Sequence, residues 1–212
     1  DLCKEDAQVT PKSKRISYLP RDRMGIRNPK NHSEKPTNQR RIMKILVIGP
    51  RQCGKTVAGD YLANTIGCGK SVSTSDVLID EYIKDLANVG VIKTKEIILA
   101  NKDLYRNDLW NLGRALQKNN PAHVAELAIE RATIGGNCVV TGVRNLDEMH
   151  ILCGKSTRVF DVIYYIQRDG CTDSTFFLTP DLADVVIYNN GTVDDLYKVL
   201  ETSLAARLTT SR

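Results

Sequence analysis

The chain has 212 residues, with 30 Lys/Arg, 25 Asp/Glu and a formal net charge of +5, enough for one domain of ordinary size plus an appendage and a core that needs no covalent staples. The charge is uneven: residues 1–42 carry 11 Lys/Arg against 5 Asp/Glu, a balance of +6, whereas the other 19 basic and 20 acidic residues give −1. A body so close to neutral excludes a strongly basic globular face for duplex nucleic acid, and no apolar run approaches the roughly 20 residues of a membrane span.

Residues 1–42 contain Pro11, Pro20, Pro29 and Pro36, many charges and almost no apolar periodicity. They are expected to form a basic, disordered N-terminal extension able to touch nucleic acid only non-specifically, and their first residues lack the apolar centre of a secretion signal. Met43-Lys44-Ile45 reads as the start of the domain proper, over 43–212. From there apolar strands at 43–48, near 71–74, and at 138–141, 159–166 and 184–188 alternate with helical patterns, the signature of a parallel sheet covered on both faces. The helices are expected at about 55–66, 76–88, 94–100, 102–118, 122–134, 146–153 and 193–207. Asn120 and Pro121 suit a helix start, and Thr192 with Asp195 suits a capping-box-like start to the last helix. The six cysteines, at 3, 53, 68, 138, 153 and 171, form no C-x-x-C pair or metal-type cluster, which points to a reducing, cytosolic setting.

Gly49-Pro50-Arg51-Gln52-Cys53-Gly54-Lys55-Thr56 matches G-x-x-x-x-G-K-[ST] in full. It follows the apolar run Ile45-Leu46-Val47-Ile48 and precedes a helical pattern containing Val57, so a strand enters a tight loop that opens into a helix. Successive backbone N–H groups and the positive helix end then face one concavity suited to a polyphosphate. In that geometry Lys55 reaches the β and γ phosphates of ATP, the Thr56 hydroxyl ligates Mg²⁺, and Val57 completes the first turn beneath them. Cys53 is either an oxidation-sensitive thiol at a helix start or a passive loop residue. Gly69-Lys70-Ser71 and Gly154-Lys155-Ser156 lack the first glycine of the pattern and read as polar turns.

Other residues narrow the chemistry. A GTPase base-reading motif is absent, since Asn101-Lys102-Asp103 is one residue short and follows a helical segment. The strand 138–141 runs into Thr141-Gly142-Val143-Arg144 and offers no carboxylate at its end. Arg106, Trp110 and Arg114 recur at i, i+4 and i+8 and share one helix face, with Gly113 beside them leaving room for a ligand and with Tyr105, Leu109, Leu112 and Leu116 as the core stripe. Planar guanidiniums around an indole suit a nucleoside monophosphate, and a solvated face with arginine stems over Trp110 is the alternative. Asp76 opens a helix directly after a strand, where it could orient a Mg²⁺ water, meet an acceptor or take its proton, or merely complement the helix dipole.

Four stretches together resemble the P-loop nucleoside monophosphate kinase group, adenylate-kinase-like, and most closely the phage-type deoxynucleoside monophosphate kinases. They are the 49–56 loop, Ser73-Thr74-Ser75-Asp76, Val139-Val140-Thr141-Gly142-Val143-Arg144-Asn145 with Glu148, and Ala183-Asp184-Val185-Val186-Ile187-Tyr188-Asn189-Asn190-Gly191-Thr192 leading to Leu196. The resemblance covers about residues 43–204. It implies a three-layer α/β fold with a five-stranded parallel sheet in the order 2-3-1-4-5 and an acceptor-binding helical insertion at about 75–120. It further implies Mg²⁺-dependent transfer from ATP to a nucleoside or deoxynucleoside monophosphate in a bacterial or phage-infected cytosol, with a nucleotide donor and a small-molecule acceptor as partners. By resemblance Arg144 grips the acceptor phosphate, and Asn189 and Asn190 lie beside the donor base. The chain departs from the pattern in its lid, because residues 169–183 hold no Lys or Arg, and Arg168 at the edge becomes the candidate catalytic cation. Two rival readings follow: a dephospho-CoA-kinase-like enzyme with Asp76 as base, and a nucleotide-binding interaction module with weak catalysis.

Overall fold

A computed structural model describes residues 42–154 and 158–210. The expectation for the basic segment 1–41 and most of the Gly154-Lys155-Ser156 lookalike lie outside these residues. Five strands, β1 (Lys44–Ile48), β2 (Val72–Ser73), β3 (Cys138–Thr141), β4 (Val162–Gln167) and β5 (Val185–Tyr188), form one sheet in the order β2-β3-β1-β4-β5. All four pairings are parallel, with Leu46 level with Val140 on one side and Ile163 on the other. The fold is therefore the expected five-stranded parallel α/β sheet in the expected order.

Why β1 is apolar from Ile45 to Ile48 follows from its neighbours. Successive side chains point to opposite faces, so a strand covered on both sides has no position left for a polar residue. Ile45 and Val47 join Val139, Tyr164 and Ile166 in one core, and Leu46 and Ile48 join Val140, Ile163 and Tyr165 in the other. The first core is closed by α1 (Lys55–Ile66) and α7 (Val193–Thr210), through Ala58, Leu62, Leu196, Leu200 and Leu204. The second is closed by α5 (His123–Ala132) and α6 (Leu146–Cys153), together with Phe160 and Leu178. Among the described residues, no helix is long and apolar enough to cross a membrane.

Between β2 and α5 the chain builds α2 (Thr74–Asn88), α3 (Lys95–Ala100) and α4 (Arg106–Leu116). Ile79, Ile98 and Leu109 give these helices a small core of their own. Arg131 of α5 ties α2 down through Asp80 and Glu81. Two expectations for α4 are corrected. The helix starts at Arg106 instead of 102, because Asn101 ends α3 by donating both its backbone N–H and its side-chain amide to the Ile97 carbonyl. Of the Tyr105/Leu109/Leu112/Leu116 stripe only Leu109 is buried, the others being half-buried. The start of α5 shifts to His123, with Asn120 accepting from the Ala122 N–H at 3.0 Å. At α7, Thr192 and Asp195 cap each other as expected.

Candidate active site

In an open parallel sheet the loops that leave the strand C-termini converge on one edge, and ligands collect there. Here that edge receives the 49–54 loop after β1, the start of α2 after β2, residues 142–145 after β3, the 168–184 segment after β4 and residues 189–192 after β5. Every sequence-predicted site residue except those on α4 lies on one of these pieces or at the start of the helix that follows it.

The 49–56 loop is held from below by its neighbours. Gly49 and Gly54 have φ of 151° and 97°, and Gln52 sits at 63°. A Cβ at Gly49 would lie 2.4 Å from the Ile166 carbonyl oxygen, and one at Gly54 would lie 2.4 Å from Asn189 Nδ2. Both positions therefore require glycine for conformation and for space. Asn189 is buried, and its Nδ2 donates to the Cys53 carbonyl at 2.9 Å. Its side chain thus fixes the loop backbone. Asn190 instead exchanges hydrogen bonds with Asp169, its Oδ1 accepting from the backbone N–H and its Nδ2 donating to the carboxylate, which ties the ends of β4 and β5 together. Cys53 is fully buried and burial pushes its thiol pKa up, so it behaves as a passive loop residue.

Lys55 is half-buried, and its Nζ donates to the Pro50 carbonyl at 2.8 Å within its own loop. Burial pulls the ammonium pKa down; Arg144 and Lys102 push in the same direction, and Cys53 and Asp173 oppose them. Thr56 and Val57 are exposed at the start of α1, as are Arg51 and Gln52. Thr56 therefore presents a hydroxyl beside the loop. Among the described residues, no group of three or more His, Cys, Asp or Glu side chains could hold a metal ion. A magnesium ion bound chiefly by substrate phosphates and water, with one hydroxyl from the protein, fits this donor set.

Arg144 leaves β3 on a chain whose course is set by Glu148. That buried carboxylate accepts from the Arg144 and Asn145 N–H groups at 3.0 and 3.1 Å and from Gln117 Nε2 at 2.7 Å, closing a capping box on α6. Burial raises the Glu148 pKa, and these donors only partly offset the rise. The Arg144 guanidinium donates to Asp173 at 2.8 Å and Thr175 Oγ1 at 2.7 Å. Phe177 N–H bonds the Arg144 carbonyl at 3.0 Å. The arginine-free 169–183 segment is thus docked on Arg144 through a carboxylate. Burial acts to raise the Asp173 pKa, but the Thr175 hydrogen bonds and Arg144 outweigh it and the net shift is downward.

The α4 face splits. Arg106 bonds Asp103, which also pairs with Arg51 of the loop at 3.5 Å. Arg114 lines a groove of about 480 Å³ with Gln117, Pro121, Asn145, Leu146, Asp147 and Phe177. Trp110, 44 % exposed, lies one turn from each arginine. Gly113 does not make room for a ligand: it is buried and faces Leu78 of α2, which a Cβ there would meet at 3.5 Å, an ordinary packing distance. Asp76 stands in the first turn of α2, whose N-cap Ser73 accepts from Ser75 N–H, while Thr74 Oγ1 donates to the Gly142 carbonyl at 2.8 Å. Arg168 is exposed just past β4. Arg158 is paired with Asp184 before β5, at the opposite edge of the sheet. Sequence reasoning missed Asp173 and Thr175, which signalled themselves only as a D-x-T turn, and Lys102, which it weighed only as part of a failed motif.

No protein-family model matches the sequence, and no curated protein is significantly similar to it. Among solved structures, an unliganded sugar kinase from Janibacter sp. HTCC2649 aligns with a TM-score of 0.44 and 16% identity over 78% of this chain and 95% of that one. At that level of likeness the fold assignment rests on the chain's own strand order and register.

Proposed function

We propose that the protein transfers the γ-phosphoryl group of ATP to a nucleoside or deoxynucleoside monophosphate. The observation that carries this reading is that Lys55, on the 49–56 loop after β1, and Arg144, on the loop after the adjacent strand β3, both leave the C-terminal edge of the sheet. The loop amides and Lys55 suit a donor polyphosphate, and Arg144 with the adjoining groove suits an acceptor.

An oxygen of the acceptor phosphate attacks the γ-phosphorus in line and forms the new P–O bond. The bond from the γ-phosphorus to the β–γ bridging oxygen breaks, its electron pair stays on that oxygen, and ADP leaves. A proton on the acceptor phosphate goes to water. The protein aligns both anions and neutralises charge that spreads over the transferred group, with no covalent intermediate. Thr56 would hold a magnesium ion, which supplies charge neutralisation on the donor phosphates when bound. Asp173 holds Arg144 until an acceptor phosphate competes for the guanidinium.

Acceptor-dependent ADP release, measured with a panel of monophosphates and with dephospho-CoA, tests the reading. Turnover with a monophosphate, abolished in Lys55→Ala at unchanged melting temperature, supports it. Turnover with dephospho-CoA alone moves the role of base to Asp76. Nucleotide binding without turnover makes the protein a binding module, a reading favoured by the engagement of Arg144 Nη1 with Asp173 and Thr175.

A further inference from the structure

The lid region raises a question of charge. Transfer of a phosphoryl group needs a cation on the side of the γ-phosphate away from the loop, yet the 169–183 segment has no Lys or Arg and contributes a carboxylate to Arg144. Arg168, just past β4, is exposed.

A different segment carries cations to the mouth of the loop. Residues 101–105 form a turn between α3 and α4, closed by the Leu104 N–H on the Asn101 carbonyl at 2.9 Å. Asp103 in that turn reaches Arg51 of the 49–56 loop at 3.5 Å and also holds Arg106. Its neighbour Lys102 lies in the field of Asp76, Arg144, Arg106 and Arg51, and Lys55 feels Lys102 in turn. Lys102 itself is solvent-exposed, and it stands in the turn that Asp103 fastens to Arg51 and Arg106.

Arg51, Lys55, Lys102, Arg106 and Arg144 make five cations, set against the carboxylates of Asp76, Asp103 and Asp173. Mutually repelling cations gathered beside a phosphate-shaped loop create affinity for a polyanion. Asp103 is 81 % exposed and its two partners 49 % each, and ion pairs this open hold weakly and yield to a stronger anion.

We propose that the turn 101–105 does the work of the missing basic lid: when a nucleoside triphosphate displaces Asp103 from Arg51 and Arg106, Lys102 contacts the γ-phosphate as a catalytic residue. This rests on the phosphotransferase reading. During transfer Lys102 makes and breaks no covalent bond and keeps its proton; it neutralises charge on the γ-phosphoryl oxygens while the bond to the bridging oxygen breaks.

The test compares wild type with Lys102→Met, which keeps the stem and removes the charge, and with Lys102→Arg. Binding is followed through the fluorescence of Trp110, the single tryptophan, and checked by calorimetry. ATP affinity is expected to fall about tenfold in Lys102→Met while ADP affinity stays within about twofold, since only ATP carries the γ-phosphate. The rate constant kcat is expected to fall about 10²–10³-fold and to recover in part in Lys102→Arg. A variant that binds ATP and ADP as wild type does, whether or not turnover is seen, overturns the assignment of Lys102 and leaves the phosphotransferase reading standing. A wild-type protein that binds neither nucleotide overturns both.

Discussion

Asn189→Ala tests how the 49–56 loop is held, independently of any reaction. The Asn189 side chain is 7 % exposed and its Nδ2 bonds the Cys53 carbonyl at 2.9 Å. Removing it leaves that carbonyl without its donor beneath the loop. An unsatisfied buried polar group costs about 1–3 kcal/mol, and 1 kcal/mol moves the melting temperature of a domain this size by about 2–4 °C. Taking about 2 kcal/mol, Tm falls by about 4–8 °C, with a matching shift in urea midpoint at unchanged slope. Nucleotide affinity falls alongside, because the amide directions of the loop depend on the pinned carbonyl. Gly54→Ala attacks the same contact from the other side, since its Cβ would lie 2.4 Å from Asn189 Nδ2 in a backbone with φ of 97°. An Asn189→Ala protein within about 0.5 kcal/mol of wild type, the range of inert surface changes, would refute the claim that this hydrogen bond shapes the loop.

Alkylation of the native protein at about pH 7.5 should modify Cys171, which is half-buried, before Cys53, which is fully buried with a raised thiol pKa; peptide mapping that finds the two equally fast removes the passive reading of Cys53. The Arg144–Asp173 pair makes stability depend on pH. Because the folded pKa of Asp173 is lowered, its contribution is present above the ordinary carboxylate value of about 3.9 and is lost as pH falls through the folded pKa. The gap in urea midpoint between wild type and Asp173→Asn should be full near about pH 7 and close progressively below about pH 4, and a gap that ignores pH would show that charge is not what docks the segment.

The parts of the fold legible in the sequence are those where one physical requirement dominates. A strand buried on both faces favours apolar and aromatic side chains, so Ile45–Ile48 and Val162–Ile166 are visible without help, although β4 begins three residues after the expected start at 159, and a loop that must run at φ of 151° and 97° shows as Gly49 and Gly54. Boundaries set by competing hydrogen bonds are less visible. The apolar spacing through Leu104 and Tyr105 continues a helical period, yet Asn101 donates to the Ile97 carbonyl and residues 101–105 turn before α4 begins. Gly113 shows the same ambiguity: periodicity does not say whether a small helical residue faces a ligand or, as here, a neighbouring helix through Leu78 at ordinary packing distance.

Charge in the cleft was the least legible feature, and for a general reason. A count of Lys and Arg along 169–183 returns zero, but what a phosphate would meet is the field summed over five chain segments brought to one sheet edge. Lys102 is 47 residues from Lys55 and 42 from Arg144 in sequence, yet it exchanges charge interactions with both. The carboxylates follow the same logic. Asp173 and Asp103 each lie against an arginine of this edge, so the mouth of the loop is a set of cations already engaged by exchangeable anions. Such a site is less costly to assemble, because three of its cations, Arg51, Arg106 and Arg144, are already paired with carboxylates. Its affinity for a polyphosphate is the difference between two sets of ion pairs, so it should weaken as salt screens the exposed partners.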